Sequence, residues 1–195
     1  ARQPGIERVV HTSTSEVYGT AQRVPIDESH PLQGQSPYAA SKIGADKLAE
    51  SFYRSFEVPV VTLRPFNTYG PRQSARAVIP AIIIQALTQD VVRLGNLDAR
   101  RDLTYISDTV YGFLRVGQRP GVEGETFNLG TGVEVRIGDL AQQIIELVGR
   151  PVSLELDPER LRPEKSEVQR LLSDNRMAFE RLGWRPSVNL RQGLS

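Results

Sequence analysis

Ser36-Pro37-Tyr38-Ala39-Ala40-Ser41-Lys42 opens a run that ends at Phe56, and Val58-Pro59-Val60-Val61-Thr62-Leu63 follows almost at once. Within the run, Ala39, Ile43, Leu48, Ala49, Phe52 and Phe56 recur at three- and four-residue spacings, which predicts a helix over 38–56. Ser36 is placed to cap it, with Pro37 at the first helical position. The β-branched run after it reads as a buried strand. Upstream, Arg8 to Thr14 reads as another short strand, with Val9 and Val10 leading into a string of hydroxyl residues. Strand, helix and strand of these lengths predict a parallel βαβ unit with the Tyr38 helix as crossover.

Further along, the pattern predicts a helix over Val78–Thr88, a strand over Val91–Leu94 and a helix from Asp108 to about Val116 capped by Ser107. A strand at Thr126–Leu129 follows, then a helix over Ile137–Val148 stopped by Gly149. A strand at Val152–Leu156 and a short helix from Asn175 to Leu182, stopped at Gly183, complete the chain. The expected class is α/β.

The 195 residues carry 24 Lys+Arg against 23 Asp+Glu, with 39% hydrophobic content. A net charge of +1 offers no general field for nucleic acid or an anionic membrane. No cysteine is present, which excludes disulfides and thiolate chemistry. The longest apolar run, Val78 to Leu87, is broken by Pro80 and Gln85 and is too short to span a bilayer. No metal site is expected, and His11 and His30 lie on different segments as structural residues. The chain starts at Ala1, with Met177 its only methionine, so the sequence predicts a cut start.

Tyr38 and Lys42 stand at i and i+4, on one face of the predicted helix. A lysine ammonium near a phenol favours the phenolate, which makes the phenol usable as a general acid or base. Thr12-Ser13-Thr14-Ser15-Glu16 leaves the C-terminal end of a strand, where ligands bind in open parallel sheets. Glu16 could serve as a base there, with Thr14 and Ser15 as hydrogen-bonding partners.

Ser13-Thr14-Ser15-Glu16-Val17-Tyr18-Gly19, Tyr38-x-x-x-Lys42 and Arg64-Pro65-Phe66-Asn67-Thr68-Tyr69-Gly70-Pro71-Arg72 together resemble the extended short-chain dehydrogenase/reductase family. This is its NAD-dependent epimerase/dehydratase branch, acting on nucleotide sugars. Arg101-Asp102-Leu103-Thr104-Tyr105, Phe127-Asn128-Leu129-Gly130 and Arg162-Pro163 extend the resemblance over nearly the whole chain. It implies the C-terminal portion of a Rossmann-type parallel sheet plus a small α/β substrate-binding domain. Residues 1–70 would be what remains of the NAD-binding domain. Residues 71–195 would mainly bind the nucleotide sugar, with one or two segments returning to the sheet.

The Thr-Ser-Glu version of the hydroxyl motif resembles 4,6-dehydratases, although glucuronate decarboxylases share it and 4-epimerases are close kin. The segments Ser36–Glu50 and Arg162–Glu167 resemble dehydratases of amino-sugar nucleotides. The resemblance implies catalysis by Thr14, Ser15, Glu16, Tyr38 and Lys42. It implies NAD contacts by Tyr38, Lys42, Pro65 and Phe66, and substrate contacts by Asn67, Arg101, Asn128 and Arg162. Val78 and Ile79 would border the nucleotide base.

It also implies a cytoplasmic homodimer through the Tyr38 helix, with Val78–Thr88 as its second helix. The family's Gly-x-x-Gly-x-x-Gly turn, which seats a pyrophosphate on a helix N-terminus, is absent from this sequence. A missing portion on the order of 100 residues is therefore expected, three or four βα units at about 30 each. The competing expectation is a catalytically inactive, self-associating fragment.

Overall fold

The computed structural model describes residues 5–161 and 168–195. Its centre is a parallel sheet of β1 (Val9–Thr12), β2 (Val60–Pro65) and β6 (Thr126–Leu129), in the order β1-β2-β6. Val9 pairs with Val60 and Thr62 with Thr126, so β2 is the middle strand. Val60 to Arg64 are all buried, the signature of a parallel strand covered on both faces.

Helix α1 (Pro37–Phe56) is the crossover between β1 and β2. The Ser36 hydroxyl accepts a hydrogen bond from the Ala39 amide at 3.0 Å, and Pro37 occupies the first turn, where its missing N–H costs nothing. The helix stops at Glu57.

Two further sheets stand beside the first. One joins β3 (Asn67–Tyr69), β5 (Arg100–Tyr105) and β7 (Glu134–Arg136), with β9 (Arg170–Leu171) also on β5; the other pairs β4 (Val91–Leu94) with β8 (Ser153–Leu156). Helices α2 (Val78–Thr88) and α4 (Ile137–Val148) bury Ile79, Ile82, Leu140 and Ile144 against Val92 and Leu94 in one core. Helices α3 (Ile106–Gln118) and α5 (Arg176–Leu182) instead join the parallel sheet. Val116, Ala178, Leu182 and Trp184 pack there on Val61, Leu63 and Phe127. A last helix, α6 (Leu190–Leu194), carries a capping box at Asn189. Among the described residues no helix is long and apolar enough to cross a membrane.

One expectation is corrected. Ser107 is not a cap: β5 runs straight into α3, which starts at Ile106, so Ser107 lies inside the first turn. Asp108 turns outward from that helix and binds the Ser187 and Val188 amides. Helix α2 packs on α4, and among its large side chains Ile84 and Leu87 stay strongly exposed.

Candidate active site

The hydroxyl-rich segment leaves β1 and tightens into a 3-10 turn over Ser15–Tyr18. Thr14 caps this turn, its Oγ1 accepting from the Glu16 amide at 3.2 Å. The turn closes at Gly19, where φ is +62° and an added Cβ would lie 2.9 Å from Gln35 Oε1. Only glycine satisfies both constraints. Ser15, Val17 and Tyr18 point into the protein, while Glu16 stays half-buried.

Across from this turn, Tyr38 sits in the first turn of α1 with half its surface exposed. One turn on, Lys42 Nζ donates to the Thr12 carbonyl at 2.8 Å, tying α1 to the end of β1. An ammonium has three donors, so that bond leaves two. Ser13 follows Thr12; its side chain is buried and its Oγ has no hydrogen-bond partner among the described residues.

Glu16, Ser36 and Ala39 form one wall of a cleft of about 570 Å³. Asn67, Arg76, Arg101 and Arg160 line it too, and Val78, Ile79 and Leu94 supply apolar surface. One acidic residue thus lines the cleft with three arginines, of which Arg101 already donates to the Arg100 and Gln169 carbonyls. The arginines' planar, permanently charged forks suit phosphate oxygens. Arg160 arrives through a close backbone crossing: an added Cβ on Gly95 would lie 2.5 Å from the Arg160 carbonyl oxygen. Asp157 holds the Arg160 side chain at 3.0 Å. Asn67 donates weakly to the Asp102 carbonyl at 3.5 Å.

Of the other site residues read from the sequence, Thr14, Ser15, Tyr38, Lys42, Pro65, Phe66 and Asn128 do not line this cleft. Asn128 is fully buried. Its Oδ1 accepts from the Tyr18 hydroxyl at 2.7 Å and its Nδ2 donates to the Ile26 carbonyl at 3.0 Å, so its amide is committed to the core, away from the cleft. Phe66 packs under the site, on Tyr18 and in a cluster with Val17 and Ile26; Pro65 beside it is half-buried. Arg162 lies outside the described residues. Both histidines are tied into the structure: His11 to Asp46 at 2.9 Å, and His30 to Gln22 and Pro31.

Beneath the cleft, burial pushes the Tyr18 phenol up to about 12, overriding the opposing pull of Arg64. Burial also raises the Asp102 carboxyl above the ordinary aspartate range, against the pull of its hydrogen bonds to Thr131, Ser173 and Gly132. Both groups hold the walls rather than meet solvent.

The family model described as GDP-mannose 4,6 dehydratase matches residues 1–195. A UDP-glucose 4-epimerase of Mycolicibacterium smegmatis is 36% identical over all of this chain and 62% of its own length. A dTDP-D-glucose 4,6-dehydratase of Mus musculus is 33% identical over all of this chain and 55% of its own. The crystal structure of a UDP-glucuronic acid 4-epimerase from Bacillus cereus, in complex with UDP-glucuronic acid and NAD, superposes with a TM-score of 0.91. It is 27% identical, covering 99% of this chain and 60% of that one. The chain thus spans less than two thirds of the length of each.

Proposed function

The chain belongs to the GDP-mannose 4,6 dehydratase family, and from that membership we propose that it carries the catalytic and substrate-binding part of an NAD-dependent nucleotide-sugar 4,6-dehydratase. The parallel-sheet half would be the remainder of the cofactor domain, and the α2/α4 half the substrate domain. The observation that carries the reading is the position of Glu16, a carboxylate opening into the same cleft as Asn67, Arg76, Arg101 and Arg160.

The residues present fit the nicotinamide-ribose end of NAD. Exposed Tyr38, the spare donors of Lys42 and the unpartnered Ser13 hydroxyl supply polar groups near the end of β1, and Pro65 supplies an apolar surface. Bound NAD would supply the hydride acceptor for C4 of the sugar and the hydride donor for C6. Tyr38 takes the proton of the sugar 4-hydroxyl as general base, with Lys42 one turn further along the same helix. The 4-ketone acidifies the C5 proton, which Glu16 removes, while the C6 hydroxyl takes a proton relayed from solvent through Ser15 and leaves as water; after hydride returns to C6, Glu16 gives its proton back to C5. Thr14, its oxygen already accepting from Glu16 N–H, still has a hydroxyl proton to offer the 4-oxygen. Ser15 stands behind Glu16 on the C6 side, and Arg76, Arg101 and Arg160 hold the diphosphate. We also propose that the full-length protein pairs as a homodimer through α1.

A 4-epimerase is the second reading, supported by the relative of 36% identity. Epimerisation needs no base at C5, so Glu16→Gln in the full-length protein separates the two. Under the dehydratase reading, reduced-nicotinamide absorbance at 340 nm builds up with substrate while 4-keto-6-deoxy product falls about 10²- to 10⁴-fold. Tyr38→Phe blocks both signals. Unchanged turnover in Glu16→Gln rejects Glu16 as the base and favours the epimerase.

A further inference from the structure

A chain of largely buried polar groups runs behind the cleft and touches the two segments that carry Tyr38, Lys42 and Glu16. On α1, one turn beyond Lys42, Asp46 is buried. Its Oδ2 accepts from Arg64 Nε at 3.1 Å and from Arg64 Nη2 at 3.0 Å, and its Oδ1 contacts His11 Nε2 on β1 at 2.9 Å. Arg64, on β2 directly before Pro65 and three residues before Asn67, uses its remaining arm on the Glu16 turn: Nη1 donates to the Tyr18 hydroxyl at 2.9 Å. Tyr18 passes the direction on by donating to Asn128 on β6.

The directions in this chain are fixed by chemistry. A guanidinium can only donate, and a phenol kept neutral by burial accepts from Arg64 and donates to Asn128. Burial opposes the charge of Arg64, but Tyr18 and Asp46 outweigh it and raise its pKa, so the hub stays cationic. A buried ion pair of this kind adds little net stability over apolar packing, and its best-attested use is to fix one arrangement among several.

We propose that Arg64 is a positioning residue that locks the Tyr38–Lys42 helix and the Glu16 turn into one frame, with Asp46 and Tyr18 as its two handles. Tyr38 and Glu16 act on adjacent carbons of one sugar, so their relative placement matters as much as their presence. A misplacement of about 1 Å can cost on the order of 10²-fold in rate. The proposal rests on the reading of Tyr38, Lys42 and Glu16 above.

The two handles can be released one at a time. Tyr18→Phe keeps the ring and removes the hydroxyl; Asp46→Asn keeps the shape and removes the charge that holds Arg64. Hydrogen exchange on the full-length protein without substrate reads placement independently of any reaction. Tyr18→Phe should speed exchange at residues 15–19 on the order of tenfold and spare residues 37–46. Asp46→Asn should do the reverse, and neither should alter α4, which lies in the other core. Stopped-flow absorbance at 340 nm with a nucleotide sugar adds the chemical readout. Asp46→Asn should slow the rise, which depends on Tyr38, and Tyr18→Phe the decay, which depends on Glu16.

Equal acceleration of all three regions in both variants, or none, overturns the proposal by making the network a plain stability element. Should Asp46→Asn fail to fold, the selectivity of Tyr18→Phe for residues 15–19 decides alone. A parental protein that shows no 340 nm signal with any nucleotide sugar overturns the dehydratase reading instead, and the exchange pattern still judges Arg64.

Discussion

Asp102 has no exposed surface, yet its carboxylate accepts from the Thr131 amide and hydroxyl on one oxygen and from the Gly132 and Ser173 amides on the other. That knot ties β5, which carries Arg101, to the turn after β6 and to the approach to α5. Asp102→Asn would turn an NH2 group toward donors. At about 1–3 kcal/mol for each polar group left unmade, urea unfolding should show a loss of at least about 2 kcal/mol; a change near zero would mean the four bonds are not made in solution. Glu28 behaves differently. Burial raises its carboxyl above the ordinary glutamate range, although it accepts from the Asn128 amide at 2.8 Å. A raised folded-state value means stability that is full below the unfolded glutamate value and lost as pH rises through the folded one. Glu28→Gln, which keeps the acceptor and does not titrate, should therefore melt higher than the parent at pH 8, with the difference shrinking as the solution is acidified. An advantage that grew toward acid would reverse the assigned sign. At this scale the sequence exposed the residues that face the cleft in recognisable motifs, such as Glu16, Asn67 and Arg101. It hid Arg76 and Arg160, whose place depends on a loop and on the backbone crossing at Gly95. It also misplaced Asn128, because a strand residue gives no sign of which way its amide is spent.

Helix α1 was legible because its cap, its proline and its apolar spacing agree with one another. The same agreement marked α2, β4, β6 and α4, whose observed bounds match the periodic segments. What periodicity did not reveal are the short polar strands: β5, β7 and β9 carry Arg100, Arg101, Glu134, Arg136 and Arg170. Their stability comes from each other, through pairings such as Arg170–Glu134 at 2.6 Å, and single segments do not display a partner's charge. Two predictions belong to α1 itself. Gly44 lies mid-helix, and a Cβ added there meets nothing within 4 Å, so Gly44→Ala should stabilise the protein by about 0.5–1 kcal/mol through reduced unfolded-state entropy. Ser36→Ala should cost about 1 kcal/mol by leaving the Ala39 amide without its acceptor. Chemical denaturation of both variants checks the pair; a destabilising Gly44→Ala would show that the face is covered in solution.

Across the whole molecule, apolar surface is concentrated beside the outer strand of the parallel sheet. β1 pairs with β2 alone, so one of its edges is open among the described residues. A groove of about 520 Å³ runs between that strand and α1, lined by Val9, Val10, Ala45, Leu48, Phe52 and Val58. Leu48 is 60% exposed and Phe56 51%. On α3, Val110, Tyr111 and Leu114 are exposed as well. An open strand edge next to contiguous apolar helix faces favours pairing with another surface. The 195-residue chain should therefore self-associate at micromolar concentration, with α1 at the contact. Because α2 spends its inner face on α4, the contact should depend on Leu48 and Phe52 rather than on Ile84 and Leu87. Sedimentation velocity over a dilution series reads this directly. Leu48→Lys combined with Phe52→Lys should bring two desolvated ammonium groups into the contact and shift the population to monomer, while Ile84→Lys combined with Leu87→Lys leaves it unchanged. A parent that sediments as a monomer throughout, or an assembly that survives the first pair and dissolves with the second, would remove α1 from the interface.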